Sequence, residues 1–249
     1  MPPAAIPVRD TFCVMLHDVA PCFESEVDQF SASLAPLIGN NMAAAVVPCW
    51  GGTPLSERDK PFLDRVLASY GNIQLHGYEH FRPKGAGLVS LFASGKDEMN
   101  GLDPEQTDRC LAAGQQLLDR TMGRRATGFI APTYQIGHAT PARLARAGIH
   151  YTVGYGRVVT SDGHSLPIST WIWDVSPIRL LCRAGYRLGN LQYRFRRNAL
   201  PCVALHPLDI RRGFLPQIVR TVEWLLRDGR RPILLEQFGY GDAPPVAAG

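Results

Sequence analysis

Short apolar runs alternate with amphipathic helical patterns along almost the whole chain, and this alternation constrains the fold more than any other feature. Strands are predicted at Thr11–Leu16, Ala43–Val47, Ile73–Leu75, Thr127–Ala131, Tyr151–Val153, Ile168–Trp173, Pro201–Leu205 and Pro232–Leu235. Helices are predicted at Glu24–Ile38, Ser56–Ser69, Asp103–Met122, Thr140–Ala147 and Phe214–Arg227, with a further turn at Leu88–Ala93. Such alternation is typical of parallel βαβ units. It predicts an α/β fold in which residues 1–249 form one distorted (β/α)7 barrel, with a core at about 11–238.

The composition is that of an ordinary globular protein, with 45% hydrophobic and 19% charged residues. The six cysteines form no C-x-x-C pair, which suits free thiols in a reducing compartment better than a disulfide framework. The N-terminus lacks the charged and apolar regions of a signal peptide. No apolar run approaches the roughly 20 residues of a membrane span. A cytoplasmic location is therefore expected.

Polar residues collect where the predicted strands end. In a parallel barrel these ends share one face, where active sites are built. The residues at strand ends are His17, Asp18, His76, His80, Pro132, Tyr134, Trp173, Asp174, His206 and Asp209. The remaining histidines, His138, His150 and His164, lie in helix or loop contexts and are expected to be solvated or structurally satisfied. Four of the seven histidines are thus predicted to converge.

His76 and His80 are predicted to begin a metal site. If they lie on a helical turn, their spacing places both imidazoles on one face. Asp18 is the natural third ligand, because an unpaired carboxylate at the end of a buried strand would be costly. Two histidines and a carboxylate with open positions form a common catalytic zinc arrangement, so zinc or another divalent transition metal is expected. His206 is placed to protonate a leaving amine.

The ordered set of motifs resembles the polysaccharide deacetylase superfamily with NodB homology. The matching segments are His17-Asp18, His76…His80, Ile130-Ala131-Pro132-Thr133, Trp171-Ile172-Trp173-Asp174 and Leu205-His206. The resemblance as a whole covers roughly residues 12–236. The resemblance implies a distorted (β/α)7 barrel. It also implies metal-dependent removal of N- or O-acetyl groups from a carbohydrate substrate.

Two departures mark a divergent branch with His-Asp in place of Asp-Asp. His17 occupies the position of the family's general base, and Ile130 replaces the arginine that pairs with that base. A neutral imidazole needs no guanidinium partner, so the two changes are chemically consistent. His17 is interpreted either as the base or as a structural or metal-binding substitute.

Further roles are assigned more by position than by motif. Asp209 is predicted to orient His206, with Asp174 as the alternative. Pro132, Tyr134 and Trp173 are predicted to bind substrate as an apolar wall, with core packing as the alternative for the aromatic residues.

Two other functions compete with deacetylation. His76-Gly77-Tyr78-Glu79-His80 also fits the H-x-x-E-H signature of a zinc peptidase. That signature needs a helix and a downstream glutamate, and Gly77 is a poor residue for a helix interior. The second alternative is a catalytically weakened barrel that binds a glycan or metal, which the departures at His17 and Ile130 favour.

The stretch Pro177–Asn198 contains many arginines and no acidic residue. Arg179, Arg183 and Arg187 would line one face of a helix. Such a helix can contact an anionic membrane or phosphate, which would suit a lipid-linked sugar substrate; the alternative is a solvated barrel helix. No nucleic-acid partner is expected because no recognised motif accompanies the charge. The oligomeric state is left open.

Overall fold

The computed structural model describes residues 8–81, 98–174 and 179–239. The strands are β1 Thr11–Val19, β2 Ala43–Val46, β3 Cys49–Trp50, β4 Thr53–Pro54, β5 Asn72–Leu75, β6 Gly128–Ile130, β7 Tyr151–Val153, β8 Arg157–Thr160, β9 Ser165–Ile172, β10 Leu200–Leu205 and β11 Arg231–Pro232. The helices are α1 Glu24–Ile38, α2 Lys60–Ser69, α3 Pro104–Met122, α4 Pro141–Arg146, α5 Arg179–Phe195, α6 Pro207–Arg211, α7 Leu215–Arg227 and α8 Glu236–Gly239. None of these helices is long and apolar enough to cross a lipid bilayer.

Eight of the strands close a barrel. They run in the order β10-β9-β8-β7-β6-β5-β2-β1, and pairing between β10 and β1 completes the ring. All pairings in the ring are parallel except those of β8, which is antiparallel to both neighbours. β11 extends the edge of β1, and β3 and β4 form a separate hairpin. The predicted α/β barrel is confirmed.

The strand β8 is the main element that the sequence pattern does not predict. It follows Gly156 and ends before a turn at Gly163, so it is one arm of a hairpin with β9. Its apolar run is only Val158-Val159, which is too short to stand out in a periodicity argument. The ring therefore contains eight strands, two of whose pairings are antiparallel, where seven parallel βα units were predicted. The predicted turn at Leu88–Ala93 lies outside the described residues.

Two hydrophobic cores share the barrel strands. In β1, Phe12, Val14 and Leu16 face the outer core beneath the helices, while Cys13 and Met15 face the inner core. This alternation follows from the two-residue period of a strand. The alternation also predicts whether the side chain of a residue just beyond a strand end points over the barrel mouth or towards the outer helices.

Candidate metal centre

A bulge at the end of β1 brings two consecutive residues to the barrel mouth. Strict alternation would direct His17 inward, like Cys13 and Met15, and Asp18 outward. The pairing with β2 slips by one residue between Leu16 and Val19, and Asp18 takes a positive φ of 56°. An extra residue in one strand re-aims a side chain in this way, and aspartate tolerates the left-handed conformation better than most residues.

His76 and His80 lie on a loop, so the predicted helical turn is wrong. His76 follows β5 and continues the inward direction of the buried Gln74. Gly77 and His80 then adopt positive φ values of 68° and 66°, which no right-handed helix contains. The two imidazoles still converge, with ring centroids 4.9 Å apart. The helix-borne geometry of an H-x-x-E-H peptidase is absent from this loop.

Glu98 holds the loop in this shape, and the sequence reasoning did not identify it. Its carboxylate accepts hydrogen bonds from the backbone N–H groups of Tyr78 (2.9 Å), Glu79 (3.1 Å) and His80 (2.9 Å). A Cβ on Gly77 would lie 2.4 Å from Glu98 Oε2, so glycine is required where the carboxylate approaches the backbone. In the sequence, Gly77 was therefore the residue that could have indicated a close contact with this loop, whereas nothing marked Glu98 itself.

Asp18, His76 and His80 meet at one point. His76 Nε2 lies 3.1 Å and His80 Nε2 lies 2.9 Å from Asp18 Oδ1. One ligand atom from each of these three buried residues lies within 4.8 Å of the others. Burial alone would raise the pKa of Asp18, but the charge of His80 and hydrogen bonds from both histidines hold it well below its usual range.

The hydrogen bond on the far side of His76 indicates what this point can hold. His76 Nδ1 lies 2.8 Å from the Ile130 carbonyl oxygen, which can only accept, so Nδ1 carries a proton. In the neutral ring the Nε2 lone pair then faces an oxygen of the Asp18 carboxylate. Two acceptors in contact need a proton or a cation between them, and a histidine oriented by a carbonyl is the usual form of a metal ligand. The three residues fit a divalent transition metal.

His17 lies beside this group, over the barrel interior. Its ring centroid is 5.0 Å from that of His76 and 4.8 Å from that of His206. Burial, followed by the neighbouring His206 and His76 rings, lowers the pKa of His17 well below its usual value although Asp18 acts in the opposite direction. Burial thus favours the uncharged form of the His17 imidazole, whose Nε2 has no protein partner among the described residues.

Asp209 lies beside His206 at the start of α6. Its Oδ2 accepts a 2.8 Å hydrogen bond from the backbone N–H of His206 and lies 3.9 Å from the ring Nδ1. Asp174, the alternative, is ion-paired with Arg212. Asp209 thus binds the His206 backbone at the start of α6, and its carboxylate also lies within ion-pair distance of the imidazole.

The predicted substrate wall is only partly brought together. Tyr134 packs edge-on against His17 at 5.6 Å, next to the buried Pro132. Trp173 is fully buried, stacks on Tyr186 and donates a hydrogen bond to Gln217, so it packs between the barrel and the outer helices. Instead, Trp50 at the end of the β3 strand stacks on His80, with ring centroids 4.9 Å apart. Nothing in its local sequence pattern pointed to that contact.

Comparison with known proteins is informative at the level of structure. No protein-family model matches the chain, and none of the curated proteins matches it. A candidate polysaccharide deacetylase from Mycobacterium smegmatis matches with a TM-score of 0.61 at 18% identity, over 92% of this chain and 90% of that one. A family 4 acetyl xylan esterase from Clostridium thermocellum, solved with a cobalt ion, matches with a TM-score of 0.53 at 13% identity, over 91% and 89%.

A third similar structure is a mutant of a CE4 family pseudoenzyme from Bacillus anthracis in which enzymatic activity was restored. It matches with a TM-score of 0.58 at 11% identity, over 93% of this chain and 68% of that one. The chain thus has the fold of the polysaccharide deacetylases, as its motifs implied. At these identities the likeness shows the fold, and function is argued from the site.

Proposed function

We propose that this protein is a metal-dependent hydrolase that removes an acyl group, most simply acetyl, from an amino sugar or a related glycan or glycolipid. The observation that carries the proposal is the buried group of Asp18, His76 and His80, whose ligand atoms lie within 4.8 Å of one another. A divalent ion bound there supplies Lewis-acid chemistry, polarising an acyl carbonyl and lowering the pKa of water. The fold shared with a family 4 acetyl xylan esterase supports this class of reaction.

The chain's own residues then supply binding, orientation and proton transfer. His76 is oriented by the Ile130 carbonyl and His80 by the Glu98-bound loop, so neither ligand has to be ordered when substrate arrives. His17, neutral and adjacent, accepts a proton from the attacking water. His206 delivers a proton to the leaving nitrogen or oxygen, and Tyr134 lines the wall beside His17.

Acetate release from N-acetylated sugar oligomers tests the proposal. We expect zinc-loaded protein to release acetate, chelator-treated protein to release none, and added zinc to restore the rate. Partially acetylated xylan serves as an ester substrate for comparison. A protein that binds zinc at this site but releases no acyl group from either substrate class would instead be a binding protein of this fold, as the pseudoenzyme among its structural neighbours illustrates.

Replacement of His17 separates its two interpretations. His17→Gln keeps a polar side chain but removes the basic nitrogen, so we expect kcat to fall by about 100-fold or more while zinc content stays at the wild-type level. His138→Gln, at an exposed position, serves as the control. Loss of zinc from His17→Gln would make His17 a ligand, and wild-type activity would remove it from the reaction.

Asp209→Asn tests whether the carboxylate serves catalysis or only the backbone. Burial, aided by Asp174, raises the pKa of Asp209 well above its usual range although the His206 N–H and Arg212 oppose this. Its Oδ1 has no hydrogen-bond partner among the described residues. Between about pH 4 and the raised folded-state pKa, the folded state therefore binds more protons than the unfolded state, and stability falls as pH rises through this range.

An asparagine can still accept from the His206 N–H without carrying the buried charge. We therefore expect Asp209→Asn to raise the free energy of unfolding by roughly 1–3 kcal/mol at pH 8. The gain should shrink towards zero near pH 4, as measured by urea unfolding at each pH. Activity should change little. A drop in kcat of about 100-fold with unchanged stability would instead return Asp209 to the role of orienting the His206 ring.

A further inference from the structure

The outer face of α5 carries an exposed apolar stripe. Leu188, Leu191 and Phe195 are 42%, 53% and 75% exposed, and together with Trp224 on α7 they are the large hydrophobic side chains that the described part of the chain exposes. Their spacing of three and four residues places them on one face of the helix. Clustering of this kind marks an interaction surface, whereas single exposed apolar residues are ordinary.

The packing of the opposite face fixes this orientation. A Cβ on Gly189 would lie 2.4 Å from Trp171, so the helix sits close against β9 with its glycine inward. Gln192 accepts a hydrogen bond from the backbone N–H of Thr170 at 3.1 Å, and Cys182 is fully buried. Leu191 and Phe195 are therefore held outward by the packing of the helix and are not covered by another part of the described structure.

Arginines surround the stripe. Arg187 and Arg194 are exposed on the same helix, and no residue from 177 to 198 is acidic. A cleft of about 490 Å³ beside Phe195 is lined by Arg157, Arg196 and Arg197. The side chains of Arg179 and Arg183, which were predicted to share this surface, lie outside the described part of the chain.

A second cleft, of about 760 Å³, also borders the helix. Its charged lining residues are Arg9, Arg194, Arg197, Arg230 and Asp228. Asp228, the acidic member, is already engaged, because it accepts a hydrogen bond from Tyr193 and lies 3.7 Å from Arg230. The charge surrounding the stripe is thus strongly positive.

We propose that α5 docks on an anionic phospholipid surface, with Leu188, Leu191, Phe195 and Trp224 entering the interface and the arginines contacting lipid phosphates. The apolar stripe matches the acyl-chain boundary of such a surface, and the flanking arginines match its anionic headgroups. Tryptophan is enriched at the same membrane–water interface. A second copy of the chain is a poorer occupant, because the arginines around its stripe would repel the arginines around this one. Phe195 lies beside Ser165, at the start of β9, whereas the proposed metal ligands follow the ends of the barrel strands.

Co-sedimentation with vesicles tests the surface independently of hydrolysis. We expect the full chain to sediment with phosphatidylcholine vesicles containing phosphatidylglycerol and to stay in solution with phosphatidylcholine alone. Binding should weaken as salt is raised. Leu191→Ser/Phe195→Ser and Arg187→Gln/Arg194→Gln should each lower partitioning by about tenfold. Acetate release from a soluble substrate should be unchanged in both variants.

Matched controls come from the opposite side of the barrel. Arg58→Gln/Arg109→Gln removes the same charge from exposed positions outside the stripe and should bind vesicles like the wild type. If this control lost vesicle binding as strongly as Arg187→Gln/Arg194→Gln, binding would depend only on net charge and the proposal would be overturned. No binding to anionic vesicles would do the same, as would a dimer in solution that Leu191→Ser/Phe195→Ser dissociates, because the stripe would then be covered by a second copy.

Discussion

Asp18→Asn is expected to abolish stoichiometric metal binding and to lower kcat/KM by at least ~1000-fold, which corresponds to about 4 kcal/mol of transition-state stabilisation. The reason is the position of Asp18 Oδ1, which is the atom that both His76 and His80 contact. An amide oxygen is a far weaker ligand than a carboxylate for a transition metal beside two imidazoles. Metal content by atomic spectroscopy and acetate release together measure the effect.

The substitution is informative because the fold should tolerate it. Asparagine has the shape of aspartate and shares its tolerance of positive φ, which Asp18 requires at 56°. Asp64→Asn, on the exposed face of α2, is the matched control and should keep full zinc content and activity. A folded Asp18→Asn protein that keeps wild-type zinc affinity and rate would remove Asp18 from the metal centre.

Glu98→Ala is expected to have the second largest effect. The hydrogen bonds that Glu98 accepts come from the backbone of the loop that carries His80, and not from a ligand side chain. Three N–H groups would lose their acceptor, that of His80 buried and those of Tyr78 and Glu79 partly buried, so we expect the free energy of unfolding to fall by about 3 kcal/mol. Zinc affinity should fall by roughly 10–100-fold, since His80 would no longer be held in place. Urea unfolding of the metal-free protein and calorimetric zinc titration measure the two effects.

A control and an intermediate variant separate positioning from general destabilisation. Glu105→Ala removes an exposed carboxylate from the first turn of α3 and should change neither quantity. Glu98→Gln retains one acceptor oxygen and should fall between the wild type and Glu98→Ala in zinc affinity. Wild-type zinc affinity in Glu98→Ala would show that the loop keeps its shape without the carboxylate.

Much of the barrel and of its site could be predicted from the sequence because both follow from strand periodicity. The inward direction of Met15 and Cys202 predicts that of His17 and His206, each lying an even number of residues further along its strand. Parallel strands bring such ends to one face, and so the candidate metal ligands could be identified from the sequence. Helix α1, from Glu24 to Ile38, was predicted with the same bounds, because its pattern is amphipathic and acidic residues lie in its first turn.

The features that local pattern could not predict depend on tertiary contacts. The positive φ values of Asp18 and His80 are imposed by a bulge and by Glu98, which lies 18 residues after His80. A left-handed conformation is uncommon for any residue other than glycine, so a helical turn was the reasonable but wrong interpretation of the His76–His80 spacing. The stacking of Trp50 on His80 likewise depends on where the β3 hairpin lies.

Anomalous diffraction at the zinc edge, from crystals of the full chain grown with zinc, tests the central claim most directly. We expect one strong peak at the mouth of the barrel, bonded to Asp18 Oδ1 and to the Nε2 atoms of His76 and His80 at roughly 2.0–2.2 Å. Zinc found only at other residues, with His76 and His80 still in direct hydrogen-bond contact with Asp18, would contradict the metal centre and the hydrolytic function proposed from it.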